Sequence, residues 1–247
     1  AYRVGAGLVT VAAPGGIHSI LATLLPEATW LILPGDMGVI APGGAVVLQD
    51  ALPRADALLL GPGWGTEKPT AEFLTALLRE EGAADGGRIG FRAERGGSTE
   101  SPPPVSLPPT VVDADGLKLL AALPDWPRLL TAPAVLTPHP GEMAQLTGLS
   151  TDEIQADRVA VARSFAADWG HVVVLKGAFT VVAAPDRNAT LQPFATAALA
   201  RAGTGDVLAG LITGLLAQGL HPYPAAVAGV FLHGLAGEMA TEDVGTQ

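Results

Sequence analysis

The chain has 247 residues, 49% hydrophobic and 15% charged, with a formal net charge of −10, enough to bury a large core; we expect one domain over 1–247. No basic surplus is available to neutralise phosphates, which argues against a nucleic-acid partner, and the lack of cysteine excludes disulfides, thiolate metal sites and cysteine nucleophiles. No apolar run approaches the ~20 residues that span a bilayer and no signal-peptide pattern opens the chain, so we expect no membrane partner and a cytoplasmic location.

Apolar runs alternate with helix-period segments. A strand is expected at 8–13, a helix at 16–25, a strand at 30–33, a strand at 57–60 and a helix at 70–80. The stretch 82–109 interrupts the alternation with glycines, scattered charges and proline clusters, and reads as a surface insertion. Beyond it come a strand at 110–113, a helix at 114–123, a strand at 134–136, a helix at 151–169, strands at 171–175 and 180–184, and helices at 206–218 and 224–240. Ser150 and Glu153 have capping-box spacing at the start of the 151–169 helix. Strands that are apolar throughout suit a parallel sheet covered on both faces, so the fold class is α/β. Only four residues separate 171–175 from 180–184, which predicts a small antiparallel pair near 171–184.

In open α/β sheets, ligands bind beyond the carboxyl ends of the strands. After 57–60 comes Gly61-Pro62-Gly63-Trp64-Gly65, either a tight turn or a place where a ligand reaches the backbone. After 110–113, Asp113 and Asp115 support a site or cap a helix. After 134–136, the prolines of Thr137-Pro138-His139-Pro140-Gly141-Glu142 present His139 and Glu142 three residues apart at a helix start. That spacing is a cap or a site. Zinc would need further ligands, whereas magnesium held through water by Glu142 suits an oxygen donor. After 171–175, Lys176 is a solvated charge or the neutraliser of a nucleotide phosphate, with Gly177 letting the turn approach it. Last, Gly203-Thr204-Gly205-Asp206 precedes an apolar helix, where free amides and the helix dipole form an anion cradle or merely a cap. Asp206 stands in that first turn, suited to act as a base.

Taken together, these segments resemble the ADP- or ATP-dependent NAD(P)H-hydrate dehydratases of the ribokinase-like superfamily. The resemblance runs in order through Arg3 to Val11, Leu60 to Gly65, Val112 to Asp115, Leu136 to Glu142, Val174 to Gly177 and Gly203 to Gly210. His139 is the discriminating position, since kinases of the superfamily commonly carry Asn there. The resemblance implies a mostly parallel sheet with helices on both faces, and a hydro-lyase that repairs nicotinamide cofactors by converting (6S)-NADHX or NADPHX back to NADH or NADPH. Asp206 would deprotonate the ring hydroxyl for attack on ADP or ATP, with the amides of Gly203, Thr204 and Gly205 stabilising the transferring group. Gly63, Gly65 and His139 would contact the hydrated cofactor together with Asp206. Lys176, Gly177, Ala178, Phe179, Thr180 and Gly205 would border the nucleotide, and Glu142 would hold Mg2+ through water. Relatives are often homo-oligomers, commonly tetramers, and many carry a fused N-terminal epimerase domain.

Three departures accompany the resemblance. A first strand with a Gly-rich loop is expected before residue 1, the 82–109 stretch is longer than usual, and Thr196, Ala197 and Arg201 replace an Asn-Pro pair and a Thr. A ribokinase-like kinase for a small alcohol is the alternative function, and a non-catalytic nucleotide sensor a third.

Overall fold

In a covered parallel sheet every strand residue meets a hydrophobic layer, and the strands at 110–112, 135–136, 172–175 and 181–183 obey that pattern, buried throughout. The computed structural model describes residues 1–79, 106–130, 133–186 and 188–245. Its main sheet contains β5 (Leu58–Leu60), β6 (Thr110–Val112), β7 (Val135–Leu136), β8 (Val172–Leu175), β9 (Val181–Ala183) and β10 (Ala189–Leu191), following β1 (Thr10–Pro14), β2 (Thr29–Leu33), β3 (Gly35–Asp36) and β4 (Val39–Ile40). The order is β10-β9-β8-β7-β6-β5, parallel from β5 through β8, with β9 and β10 antiparallel. The expected antiparallel pair is therefore β8 and β9, with Val174 opposite Val182. β10 extends it, which the sequence did not reveal, because Ala189–Leu191 has only one central half-buried residue.

Successive residues face opposite layers. Val172 and Val174 pack with Val111, Val135 and Val182 beneath α8 (Thr204–Ala217) and α9 (Pro222–Val244). Val173 and Leu175 face α5 (Pro140–Thr147), α6 (Thr151–Ala156) and α7 (Arg158–Trp169), while Leu60, Val112 and Leu136 face α2 (Gly44–Ala51), α3 (Lys68–Leu78) and α4 (Asp115–Ala121). Helices thus cover both faces, and the crossovers between the parallel strands β5 to β8 all leave from the carboxyl edge.

Some expectations are corrected. The 151–169 helix is broken at Asp157, whose φ of −149° and ψ of 79° leave the helical region and whose side chain accepts from the Ala160 amide at 2.9 Å. An aspartate that offers the backbone an alternative bond ends one helix and caps the next. The Ser150 and Glu153 capping box is present. β1 and β2 pair with each other in parallel, joined by α1 (Gly15–Leu24), as a separate sheet. The β3–β4 hairpin and α2 lacked a recognisable period. Of the 82–109 insertion, residues up to 105 lie outside the described residues; near its end Leu107 is buried in the core.

Candidate active site at the carboxyl edge of the sheet

The turns after β6, β7 and β8 each deliver one or two ionisable groups to the same edge, and the turn after β5 delivers glycines. After β5, Gly61 has φ of +115°, and a Cβ there would lie 1.9 Å from the Asp113 carbonyl oxygen, so the turn is pressed against the turn after β6. Gly63 has open space around it, and the Gly65 amide donates to Asp115 Oδ2 at 2.9 Å. Asp115 also accepts from Lys118 Nζ at 2.8 Å. Burial works to raise the Asp115 carboxyl, but the bonds from Lys118 and Gly65 hold it below its ordinary value.

After β6, Ala114 adopts φ of +50°, and Asp113 does not cap α4. Its buried carboxylate instead receives Lys176 Nζ at 2.7 Å, from the end of β8. After β7, His139 is the N-cap of α5: Nδ1 accepts from the amides of Gly141 and Glu142 at 3.0 and 3.2 Å. Glu142 Oε2 accepts from the His139 amide at 2.9 Å. An Nδ1 used as acceptor places the neutral ring's proton on Nε2, 3.5 Å from Glu142 Oε1. Glu142, itself buried, lies 3.6 Å from Lys176 Nζ through Oε2. The cap and site readings of His139 and Glu142 are thus compatible in one geometry.

At the start of α8, Gly203 takes φ of +84° as N-cap and offers no side-chain cap. The amides of Gly205 and Asp206 find no acceptor among the described residues. A Cβ on Gly205 would lie 3.5 Å from Lys176 Nζ and 3.8 Å from Asp113 Oδ2, so the helix start, the lysine and the buried aspartate converge. Asp206 is exposed in that first turn, and its carboxylate makes no hydrogen bond or ion pair among the described residues.

Beside this convergence lies a cavity of about 300 Å³. Lys176, Gly177, Ala178, Thr180, Thr204 and Gly205 line it, with Phe194, Leu199, Leu208 and Val230 as apolar wall. Phe179 stays outside that lining, 49% exposed with φ of +54°. Gly203 and Asp206 flank the cavity from the helix start, whereas Gly63, Gly65 and His139 do not line it. Gly65 bonds Asp115 and His139 bonds Glu142; the bond to Asp115 raises the Lys118 ammonium most, and the Glu142 charge adds a smaller rise.

Sequence reasoning gave Asp113 only a secondary place and missed His233, which reaches the cavity from α9. Burial lowers the His233 imidazole, while its hydrogen bond to the Thr204 backbone partly raises it. A lone histidine in a long apolar helix carries no local signal of such a role. No cluster of three or more metal-ligating side chains occurs among the described residues. No helix is long and apolar enough to cross a membrane among the described residues.

A model of the NAD(P)H-hydrate dehydratase family matches residues 104–247. The chain is 39% identical over 249 residues to the bifunctional NAD(P)H-hydrate repair enzyme Nnr of Moorella thermoacetica, covering 99% of this chain and 42% of that protein. It is 44% identical over 139 residues to the ADP-dependent (S)-NAD(P)H-hydrate dehydratase of Neisseria meningitidis, covering 56% of this chain and 47% of that one. The crystal structure of ADP/ATP-dependent NAD(P)H-hydrate dehydratase from Bacillus subtilis, co-crystallised with ATP/Mg2+, superposes with a TM-score of 0.72 at 29% identity, covering 98% of this chain and 74% of that one. The matched segments thus span less than half the length of these two curated relatives. Its fold is ribokinase-like. Because the matched span holds Asp113, His139, Glu142, Lys176 and the whole first turn of α8, and nearly the full chain aligns with a repair enzyme, this chain belongs to the NAD(P)H-hydrate dehydratase family.

Proposed function

We propose that the chain dehydrates (6S)-NADHX or NADPHX to NADH or NADPH at the expense of ADP or ATP. The observation that carries this reading is the first turn of α8, where two unpaired amides, a free carboxylate and the Lys176 ammonium meet at the mouth of a cavity. Donors of this kind stabilise charge that develops on a phosphoryl group in transit. The apolar wall of the cavity suits a nucleoside, and its Lys176 and Gly205 end suits the phosphates.

In the proposed reaction Asp206 takes the proton of the ring hydroxyl, and the resulting oxygen attacks the terminal phosphorus of the nucleotide, releasing AMP from ADP or ADP from ATP. The carbon–oxygen bond then breaks, inorganic phosphate departs, and loss of a proton from the neighbouring ring carbon restores the double bond. His139 presents Nε2–H from a rigid cap, a fixed donor for the hydrated cofactor, and the open backbone at Gly63 and the Gly65 turn border the same substrate. Glu142 would hold Mg2+ through water. When bound, the ion neutralises phosphate charge.

Recovery of reduced-nicotinamide absorbance from the hydrated cofactor, followed with ADP and with ATP, tests the reading. Recovery with either nucleotide is expected, with equimolar phosphate. No recovery with both overturns it, and stable accumulation of a phosphorylated cofactor without elimination would make the protein a kinase instead.

A further inference from the structure

Arg158 opens α7, yet its guanidinium reaches across to the turn between β8 and β9. Nη2 donates to the Leu175 carbonyl at 2.8 Å and Nη1 donates to that of Ala178. The intervening Gly177 carbonyl accepts from Thr180 Oγ1 at 2.9 Å. Three carbonyls of the turn are thereby occupied within the protein, while the Gly177 and Ala178 amides have no acceptor among the described residues. Gly177 rests directly on the guanidinium: its φ is +146°, and a Cβ there would lie 2.9 Å from Nη2.

The electrostatic setting is unusual for a structural arginine. Burial alone lowers its pKa, Nε is buried without a partner, and no carboxylate pairs with the group among the described residues. A half-buried cation held only by carbonyls gains little stability from its partners. Behind a turn that lines the cavity, its charge remains available to an anion on the other side.

We infer that Arg158 is a positioning residue for the nucleotide: it holds Lys176 to Thr180 as a donor surface, so that the Gly177 and Ala178 amides meet the phosphate oxygens of a nucleoside di- or triphosphate. This rests on the nucleotide-dependent reading above. Lysine at this position supplies charge but not the fork that spans two carbonyls.

Calorimetric titration of the whole chain with ADP or ATP, without hydrated cofactor, tests the inference, alongside steady-state kinetics. Arg158→Ala is expected to weaken nucleotide binding about tenfold or more, the effect of losing charge-assisted bonds, and to raise the nucleotide KM far more than it changes kcat or the KM for hydrated cofactor. Arg158→Lys should recover part of the affinity, and added guanidinium ion part of that lost by Arg158→Ala. Should Arg158→Ala fail to fold, the same split is read from Arg158→Lys. Unchanged nucleotide affinity, or proportional loss in kcat and both KM values without rescue, overturns the inference alone. Absence of nucleotide binding by the unsubstituted chain overturns the nucleotide reading and the inference with it.

Discussion

At the end of β8 the Lys176 ammonium meets the Asp113 carboxylate at 2.7 Å and that of Glu142 at 3.6 Å, beneath the first turn of α8. The lysine is thus held in place before any phosphate arrives, whereas Asp206 remains unpaired in its first turn. This division of labour suits the roles proposed above, a base that stays free and a cation that stays fixed. Asp206→Asn should therefore lower turnover by roughly 10²–10⁴-fold while nucleotide affinity, measured by titration, stays within a few-fold of the unsubstituted chain. A parallel loss of affinity would remove Asp206 from the role of base. The sequence marked the place of Asp206, in the first turn of a glycine-flanked helix that the structure contains. It could not show that Asp113 and Lys176 pair, since 63 residues separate them and only the parallel order of β6, β7 and β8 brings their ends together.

The elements were legible where a period or a cap was strong. Apolar strands announced a covered sheet, and Ser150 with Glu153 marked a helix start that the structure contains. The break at Asp157 was hidden because the residues on both sides are good helix formers, and the decisive event is one side-chain bond to Ala160. Turns were legible in composition only. In sequence Gly61 reads as part of a tight turn or of a place where a ligand reaches the backbone, and in the fold it is the contact between two strand-end turns. Gly61→Ala combines a positive φ with a Cβ 1.9 Å from the Asp113 carbonyl oxygen. It should destabilise the chain by about 3 kcal/mol or more, read from denaturant unfolding, and displace Asp113 from Lys176. A cost below about 1 kcal/mol would show that the two turns are not in contact.

Across the whole molecule, His171 ties three segments together. Nδ1 accepts from the Ala134 amide at 3.2 Å, Nε2 bonds the Pro127 carbonyl at 2.9 Å, and the ring stacks on Trp126. Burial, the larger effect, lowers its pKa below the ordinary 6.5, and the bond to Pro127 only partly opposes it. Below pH 6.5 the unfolded chain binds a proton that the folded one resists, so folding stability falls as the pH drops from that value toward the folded pKa. Unfolding midpoints measured across this window should show the slope, and His171→Gln should reduce it, leaving the share contributed by His233, whose pKa burial also lowers. An identical slope in the variant would place the acid sensitivity elsewhere.

The row of charges along the carboxyl edge has a kinetic corollary. Asp113, Asp115 and Glu142 are set against Lys118 and Lys176, on a protein whose formal net charge is −10. A free nucleoside phosphate approaching from solution therefore meets a like-signed field until the last few ångströms. Screening weakens that repulsion, so raising ionic strength should accelerate nucleotide association in stopped-flow measurements, the reverse of a basic site, with a smaller response for the magnesium complex. Slower association at higher salt would mean that the local cations outweigh the protein's overall charge. On the proposed reading, with repulsion at long range, capture would fall to the short-range amides and to Lys176, and nucleotides that arrive already paired with a divalent cation would gain a head start over those that do not.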